Sequence, residues 1–210
     1  MGVLKLENLE KRFGEKLLFT GLDFTFPDRG LYLILGGSGS GKTTLLRMIA
    51  GLDTDFSGSI TGGGADAVTV AFQEHRLFPT LSALRNVSEP LRAAGLDRAA
   101  AEEGAAEALT SVGFPREDFR TRPAALSGGM RQRVSLARAF AVPRPILLLD
   151  EPEKELDEGL RERLAERILR DAAQRLVLLV THTPERLRPF ADGSLALSQI
   201  PEKALDKPRA

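Results

Sequence analysis

Short apolar runs bounded by Gly, Pro or Asp recur along the chain at residues 31–35, 68–72, 146–149 and 176–180, with helical stretches between them. That alternation predicts buried parallel strands in an α/β fold, because a strand covered on both faces reads as a continuous apolar run. Two shorter strands are expected earlier, at 4–9 and 17–26, around a Phe13-Gly14 turn. In the second, Leu22, Phe24 and Phe26 alternate with Asp23 and Thr25, the pattern of a half-buried antiparallel edge. Between about 80 and 141 the strand signal vanishes and Ala, Leu, Glu and Arg dominate, which predicts a helical insertion within one compact unit. Asp97 is placed to cap a helix through AAAEEGAAEALTSV that stops at Gly113, with Gly104 as an internal weakness. Further helices are expected after Gly129 and over 158–174, where Leu160, Leu164, Ile168 and Leu169 mark an apolar face. The tail from residue 201, PEKALDKPRA, is polar and expected to fray.

Composition narrows the chemistry. The 210 residues carry 29 basic and 29 acidic side chains, 42% hydrophobic residues and no cysteine. This composition suits a folded domain and leaves no thiolate site and no disulfide framework. With only His75 and His182, a multi-histidine metal centre is not expected, and charge balance argues against a broad nucleic-acid footprint. The start, MGVLKLENLEKRFGEK, lacks an apolar leader, and no apolar run approaches the roughly 20 residues that span a bilayer. A membrane role is therefore expected only through a partner.

GGSGSGKTT at 36–44 matches G-x-x-x-x-G-K-[ST] between a predicted strand and a predicted helix, the context of a phosphate-binding loop. The glycines turn backbone N–H groups inward, the helix start adds its positive dipole, Lys42 reaches the β and γ phosphates, and the Thr43 hydroxyl serves Mg²⁺. The run thus predicts Gly36, Gly37, Ser38, Gly39, Ser40, Gly41, Lys42, Thr43 and Thr44 as nucleotide contacts. ILLLDEP at 146–152 ends a strand on Asp150, suited to hold Mg²⁺, followed by Glu151, suited to take a proton from water.

LSGGMRQRVSLARA at 126–139 resembles the signature motif of ATP-binding cassette (ABC) ATPases. The order P-loop, Gln73, LSGG, Asp150-Glu151, His182 is that family's order, over about residues 3–197. The resemblance implies a P-loop NTPase of RecA-like type: a parallel-sheet core, an N-terminal antiparallel β-subdomain and an inserted helical subdomain, all one ABC ATPase domain over 1–210. It implies ATP and Mg²⁺ as cofactors, with metal contacts from Thr43, Gln73 and Asp150. Catalytic roles fall to Lys42, Glu151, His182 as the γ-phosphate switch and Gln73 as the sensor of water and partner. Ser127, Gly128 and Gly129 would meet nucleotide held by a second cassette, with Asp157 in the loop that crosses the dimer. Phe13 stands where an aromatic stacks on adenine, the alternative being a core ring in a β-turn. His75 has no such correspondence and is read as incidental.

Several positions depart from the family pattern. Gly37 adds freedom to the loop, Phe13 replaces the commoner Tyr, and Glu153-Lys154-Glu155 brings charge beside the dimer interface. The segment between the P-loop helix and Gln73 is short, so a trimmed β-subdomain is expected, and little chain follows His182 for a regulatory domain.

FQEHRLFPTLSALRNV at 72–87 looks most like the ATPase subunits of bacterial nitrate, sulfonate and taurine importers. That resemblance implies a homodimer, a transmembrane permease, a substrate-binding protein and a peripheral place on the cytoplasmic face of the cell membrane. Leu77, Phe78 and Leu81 are expected either to line the permease groove or to be core. A lipoprotein-export or cell-division cassette carries nearly the same motifs, whereas a soluble repair or translation ATPase fits the length and charge less well.

Overall fold

The computed structural model describes residues 4–197, so the expected frayed tail lies outside the described residues. Strands β1 (Lys5–Phe13), β2 (Lys16–Thr25) and β4 (Ser57–Thr61) form an antiparallel sheet in the order β2-β1-β4. Strands β3 (Gly30–Leu35), β5 (Val68–Ala71), β6 (Ile146–Asp150), β7 (Leu176–Val180) and β8 (Gly193–Ala196) form a parallel sheet in the order β5-β6-β7-β3-β8. Helices are α1 (Lys42–Ile49), α2 (Ala83–Ala93), α3 (Arg98–Ser111), α4 (Gly128–Ala141) and α5 (Glu158–Ala172).

The expected core strands are covered on both faces. Leu147, Leu149, Val177 and Leu179 enter one apolar cluster with the α2–α5 side chains, while Ile146, Leu148, Leu176, Leu178 and Val180 enter another with α1 and the antiparallel sheet. Successive residues of one strand feed opposite clusters, which is why these runs carry no polar alternation. Because all five strands run parallel, the segments leaving β3, β5, β6 and β7 emerge at one edge, where α/β sheets gather ligands. These segments carry the P-loop, Gln73, Glu151 and His182.

The helical stretch holds α2, α3 and α4. Asp97 caps α3 by accepting from the Ala100 N–H at 2.9 Å, and Gly113 ends the segment at φ 71°, left-handed geometry that a glycine takes without strain. Gly104 sits inside α3, where a Cβ would make ordinary contact with Leu91 at 3.4 Å, so the α2–α3 packing does not demand a glycine there. Two strands, β4 and β8, were not expected from the sequence. SGSIT is short and mostly exposed, and its strand character comes from pairing Leu6 with Ile60 and Lys5 with Thr61. GSLA is four residues fixed by its ladder with β3. The antiparallel sheet holds three strands among the described residues.

Candidate nucleotide site

The loop after β3 is shaped by positive φ at Gly36 (152°), Gly39 (74°) and Gly41 (94°). A Cβ on Gly36 would lie 2.5 Å from Ser40 Oγ and 2.6 Å from the Leu197 carbonyl, and one on Gly41 would press on Phe19 at 3.1 Å. Those glycines are thus required by close approach as well as by conformation. A Cβ on Gly37 meets nothing within 4 Å, so this departure from the family pattern removes no contact. Helix α1 starts at Gly41 with no side-chain cap, which leaves its first N–H groups open to an outside anion. Lys42, 7% exposed, donates to the carbonyls of Gly36 at 2.8 Å and Gly37 at 2.9 Å, leaving its third N–H for another acceptor.

A cleft of about 380 Å³ joins this loop to residues from four other parts of the chain. Its lining includes Phe13, Ser38 to Thr44, Gln73, Glu151 and His182. Phe13 is 55% exposed at the end of β1, with the Lys11 ammonium 5.0 Å from its ring centroid, so it is no core ring. Lys11 is itself buried and bound by Asp53 at 2.9 Å, which fixes the cation beneath the ring.

Asp150 closes β6 beneath the loop, 2% exposed, with Oδ2 lacking any hydrogen-bond partner. Desolvation raises its pKa, opposed by a hydrogen bond from Thr43 and reinforced by the charge of Glu151. Ser40 Oγ is also buried without a partner. A buried carboxylate with an unsatisfied oxygen beside a threonine hydroxyl fits a hard, oxygen-seeking divalent cation. Glu151 takes φ 51°, unusual for a residue with a side chain, while its N–H donates to Val180 O at 2.9 Å. The turn sends its carboxylate to His182 Nε2 at 2.7 Å, although His182 is 60% exposed.

Ser127, Gly128, Gly129 and Asp157 do not line this cleft. Ser127 caps α4 through the Met130 N–H at 3.2 Å, and Asp157 caps α5 through the Leu160 N–H at 2.9 Å. The glycine-bearing starts of α1 and α4 therefore do not share one cleft.

A model of the ABC transporter family matches residues 19–154. The chain belongs to the ABC transporter family. The Fe(3+) ions import ATP-binding protein of Agrobacterium fabrum is 39% identical over 99% of this chain, and its namesake from Streptomyces coelicolor is 39% identical over 98%. The chain spans 64% of the length of each of these curated relatives. A dimeric, post-hydrolysis structure of the ATP-binding cassette MJ0796 bound to ADP and Pi superposes with a TM-score of 0.84 at 28% identity, covering 94% of this chain and 97% of that one. The expected parallel-sheet core with an antiparallel sheet and inserted helices is the fold of this cassette.

His75 stands outside the cleft, half-buried, facing Gln132 of α4. Burial lowers its pKa, with Glu155 opposing and Arg131 assisting, which favours the neutral ring. Leu77 packs partly on the core and Leu81 is half-buried, whereas Phe78 is 50% exposed and is no core residue. Sequence reasoning left the role of Glu153 open. It receives hydrogen bonds from Thr181 and from Thr183 at 3.0 Å, and its only signal was the run of charge at 153–155.

Proposed function

We propose that this ABC cassette binds and hydrolyses MgATP as the nucleotide-binding subunit of an importer, one ATPase domain with residues 80–141 as its helical part. The observation that carries the reading is the convergence of Lys42, Thr43, Asp150, Glu151 and His182 at one sheet edge beside a solvent-facing aromatic. Lys42 and the free N–H groups of α1 hold the β and γ phosphates, and Phe13 offers a ring face to the base. Thr43, Asp150 and Gln73 hold Mg²⁺, which neutralises phosphate charge when bound. Glu151 accepts a proton from the attacking water, and His182, whose Nε2 lies 2.7 Å from that carboxylate, contacts the γ-phosphate side of the cleft.

The active state in this reading is a homodimer in which Ser127, Gly128, Gly129 and Asp157 of one chain complete the cleft of the other. The placement of those residues away from the cleft supports it, as does the dimeric relative of known structure. A permease and a substrate-binding protein follow from the import relatives, with the chain peripheral on the cytoplasmic face of the membrane. No helix among the described residues is long and apolar enough to cross a membrane. The motif at 72–87 favours a nitrate, sulfonate or taurine importer and the curated relatives an Fe(3+) importer. Transport of each cargo class by the assembled system separates these.

Purified chain is expected to hydrolyse ATP only with Mg²⁺, and Glu151→Gln to lose at least about 10² in rate while still binding ATP. Glu151→Gln is also expected to sediment as a dimer in ATP but not in ADP, because the γ-phosphate bridges the halves. Turnover at the wild-type rate in that variant would overturn the assignment of Glu151.

A further inference from the structure

The loop between β6 and α5 reaches the His182 segment twice. Glu151 meets the imidazole itself, and two residues later Glu153 meets both neighbours of the histidine. One carboxylate oxygen, Oε1, accepts the Thr181 hydroxyl and the Thr183 hydroxyl, the latter at 3.0 Å. The Thr181 oxygen in turn accepts the Thr183 N–H at 2.9 Å, which closes a small turn with His182 at its apex. Thr181 is buried at the end of β7, so the turn is anchored to the sheet at one end, while His182 and Thr183 face solvent.

An imidazole that is 60% exposed is not held in place by packing. Its direction is set by what fixes its backbone and what bonds its ring. The ring bond is to Glu151, whose own carboxylate must engage water during hydrolysis, so that bond alone is a poor anchor through a turnover. The backbone restraint comes from a residue that does no chemistry. We infer that Glu153 is a positioning residue for His182, clamping Thr181 and Thr183 so that the imidazole stays aimed at Glu151 and the phosphate side of the cleft. The inference rests on the hydrolytic reading above for its kinetic consequence, but the clamp itself is a statement about structure. It also gives a role to part of the charged run at 153–155.

The test pairs ATPase kinetics with NMR of the histidine ring C–H groups in the intact chain. With two histidines in the sequence, a His182→Gln spectrum assigns both signals. Glu153→Ala is expected to lower kcat at least tenfold with KM for ATP within twofold, because Lys42, Phe13 and the α1 N–H groups that hold the nucleotide are untouched. It should displace the His182 signal and leave that of His75 unmoved, which also reports an intact fold. Glu153→Gln keeps an acceptor oxygen for both hydroxyls and should retain at least half the wild-type kcat. Thr183→Val should lower kcat in the wild-type background and add no further loss in Glu153→Ala. A Glu153→Ala protein within twofold of wild type, equal losses in the Ala and Gln variants, or an unmoved His182 signal would each overturn the clamp. If the wild-type chain hydrolyses no ATP, the functional reading fails, and the His182 signal alone judges the positioning.

Discussion

Helices α1 and α4 both begin in Gly-rich, polar sequence, GSGSGKTT and LSGGMRQ, yet they are different objects. Before α1 the N-cap residue is Gly41 at φ 94°, no side chain caps the helix, and Lys42 sits against the loop carbonyls. Before α4 the N-cap residue is Ser127 in extended conformation, and its own hydroxyl satisfies the Met130 N–H. A backbone that leaves its N–H groups unmet and supplies a cation has prepared for an anion, whereas at α4 the serine already meets one of those N–H groups and no lysine follows. The comparison teaches that glycine content at a helix start does not define a phosphate site. What separates the two is who satisfies the first turn. In the proposed dimer, α4 adds to a site that α1 of the other chain has already built.

Four experiments press on that difference. The largest effect is expected from Lys42→Ala, which removes the cation at α1 and should abolish measurable turnover and weaken ATP binding. Equal losses of ATP binding from Lys42→Ala and from a substitution at Ser127 would erase the distinction between the helix starts. Next is Ser127→Arg in a Glu151→Gln background. Bulk and charge at α4 should prevent the ATP-trapped dimer from forming, as read by sedimentation, while each chain still binds ATP. Persistence of that dimer would remove α4 from the interface.

Phe13→Ala should weaken ATP binding by about 1–3 kcal/mol, the scale of an aromatic ring stacked on a base, and Phe13→Tyr should be nearly silent by calorimetry. Normal affinity in Phe13→Ala would confine the cleft's contribution to the phosphate end. The smallest effect is on folding. Ser127→Ala should cost about 1 kcal/mol in urea unfolding through the lost cap, whether or not nucleotide is present. A larger loss would mean that Ser127 supports more than the first turn of α4.

Much of this arrangement was legible before any coordinates. The P-loop, Asp150-Glu151 and the aspartate cap at Asp97 are local statements, since each depends on residues within one turn or strand, whereas the capping bonds of Ser127 and Asp157 emerge only in the structure. The buried strands were legible because two-sided burial leaves no polar position. Strands β4 and β8 were not, because their residues have no strand pattern of their own and take one only from Leu6 and Tyr32 opposite them. The exposure of Phe13 was also open, since a ring in a β-turn reads the same whether it faces core or cleft.

By itself the sequence determined which residue types stood ready for phosphate, metal and proton, because those demands are met by short motifs whose backbone needs are written in glycines and caps. Only the tertiary structure decided which of them meet. The order β5-β6-β7-β3-β8 seats β7 beside both β6 and β3, and this brings His182 to Glu151, and its neighbours Thr181 and Thr183 to Glu153, across about thirty residues of intervening chain. It leaves Ser127 and Asp157 outside the cleft. The physical reason is that parallel pairing is fixed by backbone hydrogen bonds and by two-sided burial summed over the whole sheet, and neither quantity exists until every strand has found its neighbour.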